Sequence, residues 1–132
     1  MARTPHLSGE EALPDLASRF VVVDHLPWKP TPTPGIDMKV LLEDSDSGLL
    51  TALFRWQPGT ALDLHEHVEI EQTYVLQGSI VDDEGEVTAG NYVWRPKGNR
   101  HLARSPGGAL VISFFLKPNK FLTGKFAGQE LK

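Results

Sequence analysis

The sequence predicts an all-β fold, a single domain built as an antiparallel double-sheet β-barrel of jelly-roll kind. Three observations carry that expectation. Apolar runs are short and bounded by turn residues, with 12 glycines and 10 prolines spread over 132 residues. The turn clusters recur roughly every 8–12 residues, the spacing of sandwiches and barrels. Only residues 10–18 have a composition compatible with a helix, and Pro14 weakens it. A chain of this length supports one hydrophobic core.

Taken in order, residues 1–35 form an arm. Within it the apolar run 20–23 suits an edge strand. Pro27, Pro30, Pro32 and Pro34 with Gly35 make an extended stretch, because proline lacks a donor and fixes φ. The barrel takes residues 36–118. Runs 36–42 and 48–56 are strands joined by the polar turn 43–47, and Pro58-Gly59 ends the second. Runs 73–76, 79–82, 86–87, 92–95 and 109–116 continue the series. Between them stand Gln77-Gly78, Asp83-Glu84-Gly85, Ala89-Gly90, Lys97-Gly98-Asn99 and Pro106-Gly107-Gly108. Residues 119–132 are a tail in which Phe121, Leu122 and Phe126 stand among lysines and glycines, as a cap over the barrel or a contact with a second copy.

Composition excludes several classes of function. A net charge of -4 with no basic cluster argues against nucleic acid, which needs cations to displace phosphate counterions. Zero cysteines remove disulfides, thiolate zinc sites and a cysteine nucleophile, and suit a reducing cytoplasm. Residues 1–10 have no signal-peptide core, and no apolar run approaches the length that spans a membrane. The expectation is a cytoplasmic protein with no membrane partner.

The residues that carry chemistry are His65, His67, Glu71 and His101. Neutral imidazole and carboxylate are ligands for divalent transition metals. Residues two apart on a strand share a side, so His65 and His67 can meet one ion, and Glu71 has the same parity. The spacing excludes the helical metalloprotease arrangement, whose histidines stand four apart. Glu69 has the same parity and is the substitute should Glu71 turn away; Glu66 and Glu69 also suit solvated charges or partners that orient the imidazoles. His6 and His25 belong to no pattern. Three histidines and a carboxylate leave up to two positions of a six-coordinate ion open, and Fe(II), Zn(II), Mn(II) and Ni(II) all accept such ligands.

Two spacings carry a resemblance. Gly59-x5-His65-x-His67-x3-Glu71-x6-Gly78 and Gly90-x5-Pro96-x-Gly98-x2-His101-x3-Ser105 resemble the two cupin motifs, with Ser105 where that family usually has asparagine. The segments Leu76-Gln77-Gly78-Ser79, Asp82-Asp83-Glu84-Gly85 and Ala89-Gly90-Asn91-Tyr92-Val93 are similar to those of ChrR-like cupins. In that group a zinc-bearing cupin follows a sigma-binding helical domain; no such domain precedes the barrel here, so a complete anti-sigma factor is not expected. Tyr74-x-Leu76-Gln77-Gly78 with the segment 89–93 also resembles small cupin dioxygenases that cleave diketones and hydroxyaryl ketones with Fe(II). The resemblance implies one divalent metal held by His65, His67, Glu71 and His101, with Fe(II) favoured.

The functional expectation is a metal-dependent dioxygenase acting on a small dicarbonyl or hydroxy-ketone. Phe54, Tyr74, Tyr92 and Trp94 are expected to wall the substrate pocket, with Trp56 and Phe114 as further candidates. Arg55, Arg95, Arg100 and Arg104 are the cations near the motifs, and one that points inward could hold an enolate. The alternatives are a zinc-binding sensor without turnover, or a metal-dependent isomerase in which Glu71 or Glu69 acts as base. A homodimer is expected, with the run 20–23 and the proline-rich arm covering a sheet edge.

Overall fold

The computed structural model, described over residues 1–124 and 127–131, is a sheet of twelve antiparallel strands curled into a half-barrel. The strands are β1 (Ala2–Arg3), β2 (Lys29–Pro30), β3 (Ile36–Asp44), β4 (Leu49–Trp56), β5 (Thr60–Glu66) and β6 (Glu71–Val81). They continue as β7 (Glu86–Thr88), β8 (Tyr92–Arg95), β9 (Arg100–Ser105), β10 (Ala109–Phe115), β11 (Asn119–Phe121) and β12 (Glu130–Leu131). One wall runs β1-β3-β4-β10-β6, with β2 on β3 and β8 on β6; the other contains β9, β5, β11 and β12, with β7 on the far end of β6. Single domain and fold class are as the turn spacing predicts.

Strand β6 belongs to both walls and is the element on which closure turns. Its first part pairs with β10 as far as Gly78 opposite Ala109, and Ser79 to Val81 then pair with β7. At Gly78 φ is 73°, and a Cβ would collide with the carbonyl oxygen of Gly108. Only glycine permits that conformation with a backbone so close. The sequence suggests two short strands on either side of Gln77-Gly78; the structure has one bent strand, because the positive φ redirects the chain without ending its pairing.

The core lies between the walls. Ile36, Trp56, Val75, Ile80, Val87, Ala103, Ala109 and Val111 are buried against one another, with Phe54, Leu62 and Val93 packed on them. The period-2 alternation of a half-buried sheet is plain in β6, where Thr73 and Val75 point inward and Gln72, Tyr74 and Leu76 outward.

The N-terminal arm lies on the outside of β3 and β4. Thr4 Oγ1 donates to the Leu41 carbonyl at 2.6 Å, and Lys39 Nζ donates to that of Val23 at 3.0 Å. Trp28 stacks against the Lys39 ammonium and the Arg55 guanidinium, at 5.0 and 4.2 Å from its ring. Two local expectations are corrected. The run 20–23 is not a strand: Phe20 is 88% exposed and residues Val23–His25 make a 3-10 turn, in which the Val23 carbonyl accepts from the Lys39 side chain and from Leu26 N–H rather than from a ladder. Residues 10–18 hold only the 3-10 turn Glu10–Ala12, which ends before Pro14. The tail does join the barrel, as β11 pairs with β5, whereas Phe126 lies outside the described residues. No helix of the described residues is long and apolar enough to cross a membrane.

Substituting Gly78 by alanine should lower stability by about 2 kcal/mol or more, from the left-handed backbone and the clash together. Urea denaturation checks this; an unchanged midpoint would mean that the bend relaxes freely.

Candidate metal centre

The centre is built by the pairing of β5 with β9. After a register shift beyond Leu62, His65 stands opposite His101. His67 lies just past the end of β5 and is held by its backbone on both sides. Its N–H donates to the Asn99 carbonyl at 2.8 Å, and its carbonyl accepts from Gly98 N–H at 2.7 Å. The three imidazole rings lie 4.4 to 4.9 Å apart by their centroids. Among the described residues, His65, His67 and His101 form the one group of candidate ligands whose donor atoms lie within 4.8 Å of one another. All three are buried, at 1, 1 and 4% exposure.

The outward-facing nitrogen of each ring is occupied. His65 Nδ1 lies 2.7 Å from the Asp63 carbonyl oxygen, and His101 Nδ1 lies 2.9 Å from Asp82 Oδ2. A carbonyl and a carboxylate accept only, so these contacts keep the hydrogen on Nδ1 and leave the Nε2 lone pair free. Glu71 Oε2 lies 2.6 Å from His67 Nδ1, off hydrogen-bond alignment yet close enough for its charge to hold the hydrogen there. Nε2 of His67 and Nε2 of His101 stand 2.8 Å apart. With the hydrogens on Nδ1 of both rings, two lone pairs would face each other at that distance, an arrangement that a cation between them relieves. Two nitrogens each bound at about 2.1 Å and at right angles on one ion are roughly 3 Å apart. The donor set therefore fits a divalent transition metal.

Electrostatics agree. Burial pushes His65 down to about 4, with the positive charge of Arg95 adding to the effect. Burial also pushes His101 down to about 3, with neighbouring imidazoles and Arg95 contributing. Both rings stay neutral, as metal ligands must. Burial alone would raise Glu71, but its contacts with His67 and Thr73 outweigh it, so the carboxylate lies well below the ordinary range.

Above the histidines lies a cavity of about 100 Å³. Its wall is mainly apolar, from Phe54, Trp56, Val111, Phe115 and Phe121 among others, with His65, Glu71, Thr73, Arg95, His101 and Ser113 as polar lining. Thr73 Oγ1 donates to Glu71 Oε1 at 2.9 Å and stands 2.7 Å from Ser113 Oγ. Phe121, from the tail, packs on His65 at 5.6 Å between ring centroids.

The placement of the sequence-predicted residues is mixed. The three histidines come together, and Glu71 reaches them through the far nitrogen of His67 while standing outside the group of clustered donor atoms. Glu69 turns away to Lys97, 3.3 Å distant. Phe54 and Trp56 line the cavity. Tyr74, Tyr92, Trp94 and Phe114 do not: each points to the outer face, 40 to 54% exposed. The expected pocket wall is corrected by strand parity, since Tyr74 pairs with Tyr92 and Ile112 on the outside while Thr73 pairs with Val93 and Ser113 on the inside. Of the four arginines, Arg95 lines the cavity, whereas Arg55 pairs with Asp37 and Arg100 with Glu66. Asp82, Thr73 and Ser113 carried no signal in the sequence, because nothing in linear order ties them to the histidines.

The neutral state of His65 and His101 has a measurable consequence for the metal-free protein. Between pH 6.5 and about 4 the unfolded chain takes up protons on these residues and the folded chain does not, so the unfolding free energy falls as pH drops through that window. Urea midpoints measured with chelator at pH 7.5, 6 and 5 should decrease in that order, apart from the effect of other groups. Replacing both histidines by glutamine should flatten the decline; an equal decline in that variant would show that the imidazoles titrate normally in the fold.

Comparison with known proteins follows the same lines. The model of the ChrR Cupin-like domain matches residues 17–119. No curated protein matches the sequence. A candidate acetylacetone dioxygenase from Methylibium petroleiphilum PM1 superposes with a TM-score of 0.78 at 23% identity, covering 90% of both chains. An acetylacetone dioxygenase from Acinetobacter johnsonii gives a TM-score of 0.75 at 20% identity, over 88% of this chain and 85% of that one. The structure of Rhodobacter sphaeroides SigE in complex with the anti-sigma ChrR gives 0.60 at 20% identity, over 70% of this chain and 51% of that one. At such identities these likenesses show the fold. The match of the domain model over most of the chain shows more: this protein belongs to the ChrR Cupin-like domain family.

Proposed function

We propose that the protein is a metal-dependent dioxygenase acting on a small dicarbonyl or hydroxy-ketone, with Fe(II) as its metal. The observation that carries the reading is a cluster of three buried imidazoles beside a mainly apolar cavity that His65 and His101 line. His65, His67 and His101 would hold the ion, and the Glu71 carboxylate beside His67 Nδ1 would orient that ring. Bound there, ferrous iron supplies Lewis acidity toward an enolate and a centre for oxygen chemistry.

The chain's own side chains do the rest. Phe54, Trp56, Val111 and Phe115 keep water from the reacting carbonyl carbons and fit a small apolar skeleton. The Arg95 guanidinium at the wall, its charge balanced by Asp82, offers its remaining N–H groups to a bound enolate. The hydroxyls of Thr73 and Ser113 form a short chain onto Glu71, Ser113 donating to Thr73 and Thr73 to the carboxylate, which holds Glu71 in place at the wall. The structural likeness to acetylacetone dioxygenases supports this choice of substrate class.

A second reading, a zinc-holding sensor without turnover, is supported by the family model and the likeness to ChrR. Metal content separates the two. Protein purified anaerobically without an affinity tag should carry near-stoichiometric iron, lost in a His65→Ala/His101→Ala variant. Oxygen electrodes should record one O2 consumed per diketone added, and none with the variant. Stoichiometric zinc that iron cannot displace, with no oxygen uptake, would overturn the dioxygenase reading.

A cytoplasmic homodimer completes the proposal. The outer face of β6, β8 and β10 carries Tyr74, Leu76, Tyr92, Trp94 and Phe114 exposed and without a charged residue among them, a face suited to a second copy. Light scattering after gel filtration should give twice the chain mass, and Tyr74→Lys/Phe114→Lys should give the monomer.

A further inference from the structure

Asp82 takes no ligand position and lies outside both sequence motifs, yet its carboxylate is 3% exposed and fully used. Oδ1 accepts from the backbone N–H of Glu84 at 2.8 Å and of Gly85 at 3.0 Å. The Asp82 N–H in turn donates to the Gly85 carbonyl at 2.9 Å. The turn between β6 and β7 thus grips the carboxylate through two N–H donors and pins the Asp82 backbone through a third bond. Oδ2 is turned the other way, 2.9 Å from His101 Nδ1 and 2.8 Å from Arg95 Nη1.

We propose that Asp82 is the positioning residue of the metal centre: it ties His101 and Arg95 to one rigid turn, and so sets the affinity of the site for its cation. The proposal rests on the metal-binding reading given above. Two physical effects combine. A carboxylate on Nδ1 fixes the ring orientation and makes Nε2 more basic toward a metal. The same oxygen neutralises a guanidinium that lies on the cavity wall and that would repel a bound cation if left unpaired. Glu84 cannot replace it, because Glu84 is exposed and stands 3.9 Å from Arg95.

The test is Co(II) binding to metal-free protein in competition with a chromophoric chelator, for wild type, Asp82→Ala, Asp82→Asn and Glu84→Gln. Visible absorption of the Co(II) protein reports the ligand field, and urea midpoints of the metal-free proteins report stability. Asp82→Ala should weaken Co(II) about 10- to 100-fold and shift the absorption bands. Asp82→Asn keeps the shape and an oxygen acceptor but not the charge, and should lie between. Glu84→Gln should match wild type. Should Asp82→Ala fail to fold, Asp82→Asn decides. A merely structural Asp82 would lower the urea midpoint while leaving affinity and spectrum within twofold of wild type, and that result overturns the proposal. Wild-type protein that binds no Co(II) would overturn the metal reading itself, and this inference with it.

Discussion

The antiparallel pairing of β5 with β9, at the register that sets His65 opposite His101, is the constraint on which the rest of the site depends. It joins parts of the chain that sequence separates by 36 positions, and a slip of one residue would turn one histidine out of the barrel. Two backbone hydrogen bonds from the 98–99 turn then fix His67 beside them. The ladder therefore does the work of a scaffold for ligands that come from both of its strands.

Strand β6 supplies the partners of two of those ligands from its opposite ends. Glu71 at its start faces His67, and Asp82, one residue past its end, faces His101. Fully extended, eleven residue steps would separate these carboxylates by roughly 36 Å. They nonetheless serve rings whose centroids are 4.9 Å apart. The bend at Gly78, with the curl of the sheet, removes that distance. A backbone conformation available to glycine is thereby linked to the electrostatics of a site it does not touch.

Burying three imidazoles, two carboxylates and a guanidinium against an apolar wall is costly unless each finds a partner. Here the partners form two sets, one from Ser113 through Thr73 and Glu71 to His67, the other joining His101, Asp82 and Arg95. Low local polarity strengthens each contact, and burial keeps His65 and His101 neutral. The outside of the barrel follows a different logic: the arm covers β3 and β4, while the aromatic face of β6, β8 and β10 is left uncovered by this chain.

The fold class, most of the strand positions and the pairing of His65 with His67 were legible in the sequence, because each follows from local physics. Turn residues mark where strands end, two-residue parity brings His65 and His67 to one side, and glycine stands where φ must be positive. What lay beyond its reach was the inward or outward sense of each strand relative to the others. Tyr74, Tyr92 and Trp94 differ from Val75, Val93 and Arg95 by a single step, and only pairing with β10 decides which set meets the cavity. The roles of Asp82, Thr73, Ser113 and Phe121 depend likewise on contacts across 19, 40 and 56 positions. Sequence alone determined a barrel that can gather three imidazoles; tertiary structure decided what surrounds them, because side-chain direction in a sheet is set by register between strands and not by order along one.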